Sequence, residues 1–166
     1  MALQRDINAS SLSTQWFYFQ VQNHSLLGTH TFHIVNYTKP FSMFKVGMKP
    51  CVCSVKSGKG WERDGHNIQY RRSSIPIDEE QHYYTFSFSY DFTHEDDEVY
   101  FAYCYPYSYS RLLRFLDRVE LKHGDKLRRK SLAKTLSGNV VELVSITNPN
   151  YTNKKVLFLT ARVHPG

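Results

Sequence analysis

Eight histidines, three cysteines and two runs of opposite charge are the residues of this 166-residue chain that could do chemistry. His164 is the best placed. It follows the apolar run Val156-Leu157-Phe158-Leu159-Thr160-Ala161, and open α/β sheets collect their ligands just beyond the carboxyl ends of such strands. His30 and His33 stand three apart in a strand candidate, so they face opposite sides and cannot chelate one ion. His24, His66, His82, His94 and His123 fall in or near expected turns and element ends and carry no pattern of their own. The acidic run Glu95-Asp96-Asp97-Glu98 lacks the alternating carboxylates and fixed glycine of a calcium loop, and reads as a solvated hairpin tip. The basic stretch Lys122 to Lys134, with Lys126, Arg128, Arg129 and Lys130, reads as a solvated connection, or as a patch that steers acidic partners over long range.

The elements that must position these residues change character along the chain. Gln15 to Val21 and Thr31 to Tyr37 are rich in aromatic and β-branched residues; Cys51 to Val55 and Ile68 to Arg71 are shorter strand candidates. The clearest strand is His82 to Phe92, where Tyr84, Phe86, Phe88, Tyr90 and Phe92 alternate with smaller polar residues. A period of two gives one apolar and one polar face. The apolar face reads as the core of a sandwich and not as a platform for bases, because the opposite face has no Arg or Lys. Val99, Phe101, Tyr103 and Tyr105 alternate in the next strand, Val99 to Tyr105. Short strands at this spacing predict an antiparallel β-sandwich.

At Pro106 the periodicity shifts. Ser108 or Ser110 can cap a helix, Leu112, Phe115, Leu116 and Val119 fall on one helical face, and Gly124 is a natural stop. A hairpin is expected from Ser131 to Leu136 and Val140 to Thr147, turning near Gly138-Asn139. The run Val156 to Ala161 reads as a strand buried on both faces, as in the centre of an α/β sheet. The prediction is therefore mainly β, with a sandwich over residues 1–105 and, over 106–166, the incomplete start of an α/β domain built of helix, hairpin and central strand.

Composition supports a folded chain: 41% apolar and 15% aromatic residues exclude wholesale disorder. The net charge of +6 is uneven. Residues 1–100 hold nine Lys/Arg against eleven Asp/Glu, and residues 101–166 hold twelve against four. The basic part favours acidic partners, and without a recognised RNA- or DNA-binding motif nucleic acid ranks last among them. Cys51, Cys53 and Cys104 are an odd set, and the first two sit too close to bridge within one extended strand, so reduced thiols of a cytoplasmic protein are expected. Cys104 beside Pro106 is expected to be a buried small hydrophobe and not a nucleophile. Neither a secretory signal nor an apolar segment of membrane-spanning length is expected, and the sequon at Asn36-Tyr37-Thr38 reads as chance.

Two segments carry a resemblance. Phe101-Ala102-Tyr103-Cys104-Tyr105-Pro106-Tyr107-Ser108-Tyr109-Ser110 lies where the sandwich should meet the helix, and Thr160-Ala161-Arg162-Val163-His164-Pro165-Gly166 closes the chain. Together they resemble the cytosolic carboxypeptidase family, in which a β-sandwich directly precedes a zinc carboxypeptidase domain. Gly47-Met48-Lys49-Pro50, Gly60-Trp61 and Thr135-Leu136-Ser137-Gly138-Asn139 sit where that family would place them. The resemblance implies a peptidase that removes C-terminal or side-chain glutamates, notably from tubulin. It implies Tyr103, Cys104, Tyr105, Pro106, Tyr107 and Tyr109 as the domain-junction motif, and acidic or polyglutamylated protein tails as partners. It also implies His164 as a zinc ligand of the complete enzyme. The chain stops one residue before the Glu of the family's His-x-x-Glu motif, so no catalytic residue, no bound zinc and no hydrolysis are expected of these 166 residues alone. A binding module for acidic tails is the alternative reading.

Overall fold

The structure, a computed structural model, describes residues 1–5, 13–25, 27–148 and 150–160. Two compact units divide it, Met1–Pro106 and Tyr107–Pro165.

The first unit holds two antiparallel sheets. Strands β1 (Tyr18–Asn23), β7 (Asp97–Ala102), β3 (Cys51–Ser54) and β4 (Glu62–Arg63) lie in that order in one. Strands β2 (Gly28–Tyr37), β6 (His82–Phe92) and β5 (His66–Pro76) form the other, with β6 in the middle. Each sheet turns its period-two apolar face inward. In the first, Phe19 pairs with Phe101 and Val21 with Val99; in the second, Phe32 pairs with Phe88 and Ile34 with Phe86. Rings from the two sheets meet between them, Phe32 on Phe101 at 5.0 Å and Tyr90 on Phe101 at 5.2 Å. The expected sandwich is present, with Phe86, Phe88 and Phe101 fully buried at its centre. As the spacing of His30 and His33 requires, the two part: His30 meets the edge of the Phe92 ring, while His33 bonds Ser87 Oγ on the other face.

Three features of this unit escaped the sequence pattern. A 3-10 turn, Met43–Val46, is capped by Ser42 and closed by Gly47 at a φ of 99°, a conformation open to glycine. It delivers Phe44 into the core, where the ring stacks on Phe86 at 3.7 Å. The two-residue β4 pairs with β3, Cys51 opposite Arg63. The acidic run is not uniformly solvated: Asp97 is 3% exposed, accepting from Ser54 Oγ at 2.5 Å and from the Lys56 amide at 2.9 Å. It thereby holds the turn after β3, because a buried carboxylate must be matched by donors.

The second unit opens with helix α1 (Tyr109–His123), followed by the hairpin of β8 (Leu127–Lys134) and β9 (Val140–Ile146). Of the two cap candidates, Ser108 is the cap, its Oγ accepting from the Arg111 amide. Leu116 is buried as the pattern requires, but Phe115 is 50% exposed. Gly124 ends the helix in a right-handed conformation and not in a left-handed cap. That backbone is open to any residue, and a Cβ there would make only a tight contact, 3.0 Å from the Glu120 carbonyl oxygen. The hairpin turns where Gly138-Asn139 placed it, Gly138 adopting a φ of 82°. Strand β8 starts earlier than expected and draws Arg128, Arg129 and Lys130 out of the supposed connection into a sheet.

The run from Val156 to Thr160 is a correction. These residues lie in no strand and their apolar side chains are 72–90% exposed. A doubly buried strand needs a pairing neighbour on each side and cover on both faces, and the described residues of this unit supply neither. Ala161, the run's last residue, lies outside the described residues.

Arg129 ties the second unit together, donating to Asp117 at 2.5 Å and to Glu142 at 2.7 Å. The hydrogen bond from Arg129 holds the Glu142 carboxyl below its ordinary value. The folded hairpin therefore binds fewer protons here than the unfolded chain. The stabilisation is present above the ordinary glutamate value and is lost as pH falls through the lowered one. An NMR titration of the Glu142 carboxyl should give a depressed midpoint, and Arg129→Met should return it toward the ordinary value. A midpoint unmoved by that substitution would refute the pairing.

Candidate functional site

The junction motif straddles the boundary of the two units, and each part is anchored within its own. In the first unit the anchor is Arg63. Pairing of β4 with β3 brings its guanidinium to the end of the sheet, where Nη1 donates to the carbonyls of Lys49 at 2.5 Å and Tyr103 at 2.9 Å. Nη2 reaches Cys104 Sγ at 3.8 Å, and the cation lies 6.0 Å from the Tyr105 ring centroid. One side chain thus fixes the backbone and two side chains of the chain leaving β7, and a planar guanidinium suits such forked donation. Cys104 is half-buried and not the enclosed hydrophobe expected. All three cysteines are free. Burial pushes the Cys51 thiol up, which keeps it protonated and unreactive.

Tyr103 is fixed on its other side. Its ring meets Trp16 at 5.4 Å and the edge of Phe44 at 5.5 Å, and its hydroxyl accepts from Gln15 Nε2 at 2.8 Å. Tyr105 stays half exposed, with Pro106 next to it half-buried.

In the second unit Tyr107 lies under the Arg111 guanidinium at 5.3 Å. Tyr109 Oη both donates to the Val140 carbonyl and accepts from the Val140 amide, at 3.1 and 3.0 Å, which pins the start of α1 to the start of β9. The motif's outer tyrosines, Tyr103 and Tyr109, are therefore structural anchors, and the inner two, Tyr105 and Tyr107, are accessible rings. This arrangement can hold a chain path and present aromatic surface.

Arg63 and Asp97 were not legible as site residues. Arg63 acts through pairing with Cys51 and Asp97 through a turn that comes 43 positions earlier in sequence, and neither partner is local.

A separate concavity of about 380 Å³ opens near the ends of β3 and β6, lined by Lys56, Lys59, Glu62, Asp64, Asp91 and His94 among others. It mixes both signs of charge. Burial first, then the neighbouring carboxylates Asp64, Asp97, Glu62 and Asp91, push the Tyr90 hydroxyl up to about 12, so it remains a neutral group at this cleft.

No three His, Cys, Asp or Glu side chains among the described residues come together to hold a metal ion. His164 lies outside the described residues. No described helix is long and apolar enough to cross a membrane.

The chain is similar to known proteins. The family model of the cytosolic carboxypeptidase N-terminal domain matches residues 1–104, which ends within the junction motif. Cytosolic carboxypeptidase 2 of Homo sapiens is 38% identical over 164 residues, covering 92% of this chain and 18% of that protein. Cytosolic carboxypeptidase 3 of Mus musculus is 40% identical over 165 residues, covering 92% and 16%. Cytosolic carboxypeptidase 1 of Gallus gallus is 38% identical over 190 residues, covering 100% and 15%. The chain spans less than a fifth of the length of each of these relatives.

Proposed function

Because this chain belongs to the cytosolic carboxypeptidase N-terminal domain family, we propose that it is the front portion of a cytoplasmic zinc metallocarboxypeptidase that removes C-terminal or side-chain glutamates from acidic protein tails such as those of tubulin. The observation that carries this reading is the extent of the likeness. Relatives named as carboxypeptidases align with this chain on both sides of the sandwich boundary, through the junction motif and into the second unit. The sandwich then serves as a support for the peptidase domain, with Arg63 setting the direction in which the chain leaves it.

In the complete enzyme His164 is one zinc ligand. Zinc in such a site acidifies a bound water for attack on a carbonyl, and it needs three protein ligands with one position open. Residues 1–166 bring a single member of that set, so by themselves they do not hydrolyse peptides.

The test uses antibody to the first unit. Native protein captured with it should release glutamate from a peptide ending in several glutamates, and a zinc chelator should stop the release. The purified 166-residue chain supplied with zinc should release none. Absence of release by the native protein, or release by the short chain, would overturn the reading. The intact mass of the captured protein distinguishes the alternative, a binding module for acidic tails, which predicts 19.5 kDa.

A further inference from the structure

Helix α1 carries four cations at positions 111, 114, 118 and 122, namely Arg111, Arg114, Arg118 and Lys122. Steps of three, four and four residues keep them within an arc of about 80° on the helix surface, a ridge roughly 16 Å long. All four are exposed. Among the described residues none of them forms an ion pair: the two carboxylates of α1, Asp117 and Glu120, lie toward Arg129. The Arg111 guanidinium lies over the Tyr107 ring. Phe115, 50% exposed, and Leu121, 91% exposed, border the ridge on either side.

From this arrangement we infer that the exposed ridge of α1 is a docking surface for an extended, glutamate-rich polypeptide segment. The partner's charge follows from four like charges left uncompensated on one helix face, in the part of the chain where cations outnumber carboxylates twelve to four. Its form follows from spacing. Successive cations rise by about 4.5 to 6 Å, while alternate side chains of an extended chain repeat every ~6.7 Å on one face. Long, flexible Arg and Lys stems absorb the difference, so every second glutamate can meet a cation. The apolar borders match the methylene stems of those glutamates. Single-stranded nucleic acid fits less well. Its binding surfaces join a basic groove to several rings free for stacking, whereas this ridge is convex, Arg111 covers the Tyr107 ring and Phe115 is a single exposed ring at its border. The inference extends the proposed function by giving that enzyme's acidic substrates a contact outside the catalytic centre.

The test is fluorescence anisotropy of a labelled ten-glutamate peptide with the purified 166-residue chain, at two salt concentrations. Wild type should bind, more weakly at the higher salt. Arg114→Glu/Arg118→Glu should weaken binding about tenfold or more, since two attractions become repulsions. Lys45→Glu/Lys49→Glu changes the net charge equally but lies in the first unit, and should weaken it about twofold or less. Circular dichroism checks folding, and the milder Arg114→Gln/Arg118→Gln pair, expected to lose about threefold, replaces the reversal variant if that fails to fold. Equal losses in the ridge and control variants would overturn the inference. So would tighter binding of a ten-nucleotide oligothymidylate with the same dependence on the ridge. Because binding is read without hydrolysis, its failure leaves glutamate release by the native protein as an independent result, and the reverse holds as well.

Discussion

Phe86→Ala should lower the stability of the first unit by about 4 kcal/mol, in the range for emptying a buried aromatic site. The ring is fully buried and stacks on Phe44 at 3.7 Å. It also meets Phe17 at 6.0 Å, Phe88 at 5.3 Å and the edge of Tyr37 at 6.4 Å. Phe88 shares β6 with it, while Phe17, Phe44 of the 3-10 turn and Tyr37 of β2 come from other stretches, so one deletion loosens three segments besides its own strand. The cavity cannot collapse easily, because Phe86 sits on β6, the middle strand of its sheet. Urea unfolding followed by tryptophan fluorescence is the measurement. Trp16 and Trp61 are the chain's two tryptophans and both lie in the first unit, so the signal reports that unit. Phe86→Leu should lose roughly 1–2 kcal/mol, since most of the volume is kept. Equal losses for the two variants would mean that ring packing is not what the site supplies.

Asp97→Ala should cost about 3 kcal/mol by the same measurement, because it strands a buried hydroxyl and a backbone amide that now donate to a carboxylate. Asp97→Asn keeps an acceptor of the same shape and should lose about half as much. The neighbour Glu95 is exposed, and Glu95→Ala should change stability by less than about 0.5 kcal/mol. A loss at Glu95 as large as that at Asp97 would contradict the assignment of the turn to the buried carboxylate.

Asp97 illustrates where reading the chain stops. Four consecutive acidic residues are chemically alike, and nothing local separates them. What singles out Asp97 is that β7 pairs with β3, bringing Ser54 and Lys56 from more than forty positions away. Arg63 is a similar case, its carbonyl and thiol partners lying 14 to 41 residues distant. Phe44 lay in a stretch punctuated by proline and glycine with no periodicity to mark it, yet it makes the closest ring stack of the core.

The alternation in β6 and β7, the serine cap before α1 and the Gly138 turn were legible because each is a local device. Side-chain period, cap chemistry and the allowed φ are set within a few residues. The junction motif was legible for the same reason: its residues are contiguous. The basic stretch 122–134 was only half read. Its charges were plain, but their division between paired Arg129 in β8 and open Lys122 at the end of α1 depends on which faces the helix and hairpin turn to each other. The apolar run from Val156 was misread for the opposite reason. Its composition is that of a central strand, but a strand exists only where neighbours pair with it, and the described residues bring none. The amino-acid sequence by itself thus determined the sandwich, the cap, the hairpin and the family, since these rest on short-range pattern. Only the tertiary structure decided which carboxylate is buried, which arginine fixes the junction and which cations stay free, since burial and pairing are created by chain segments distant in sequence.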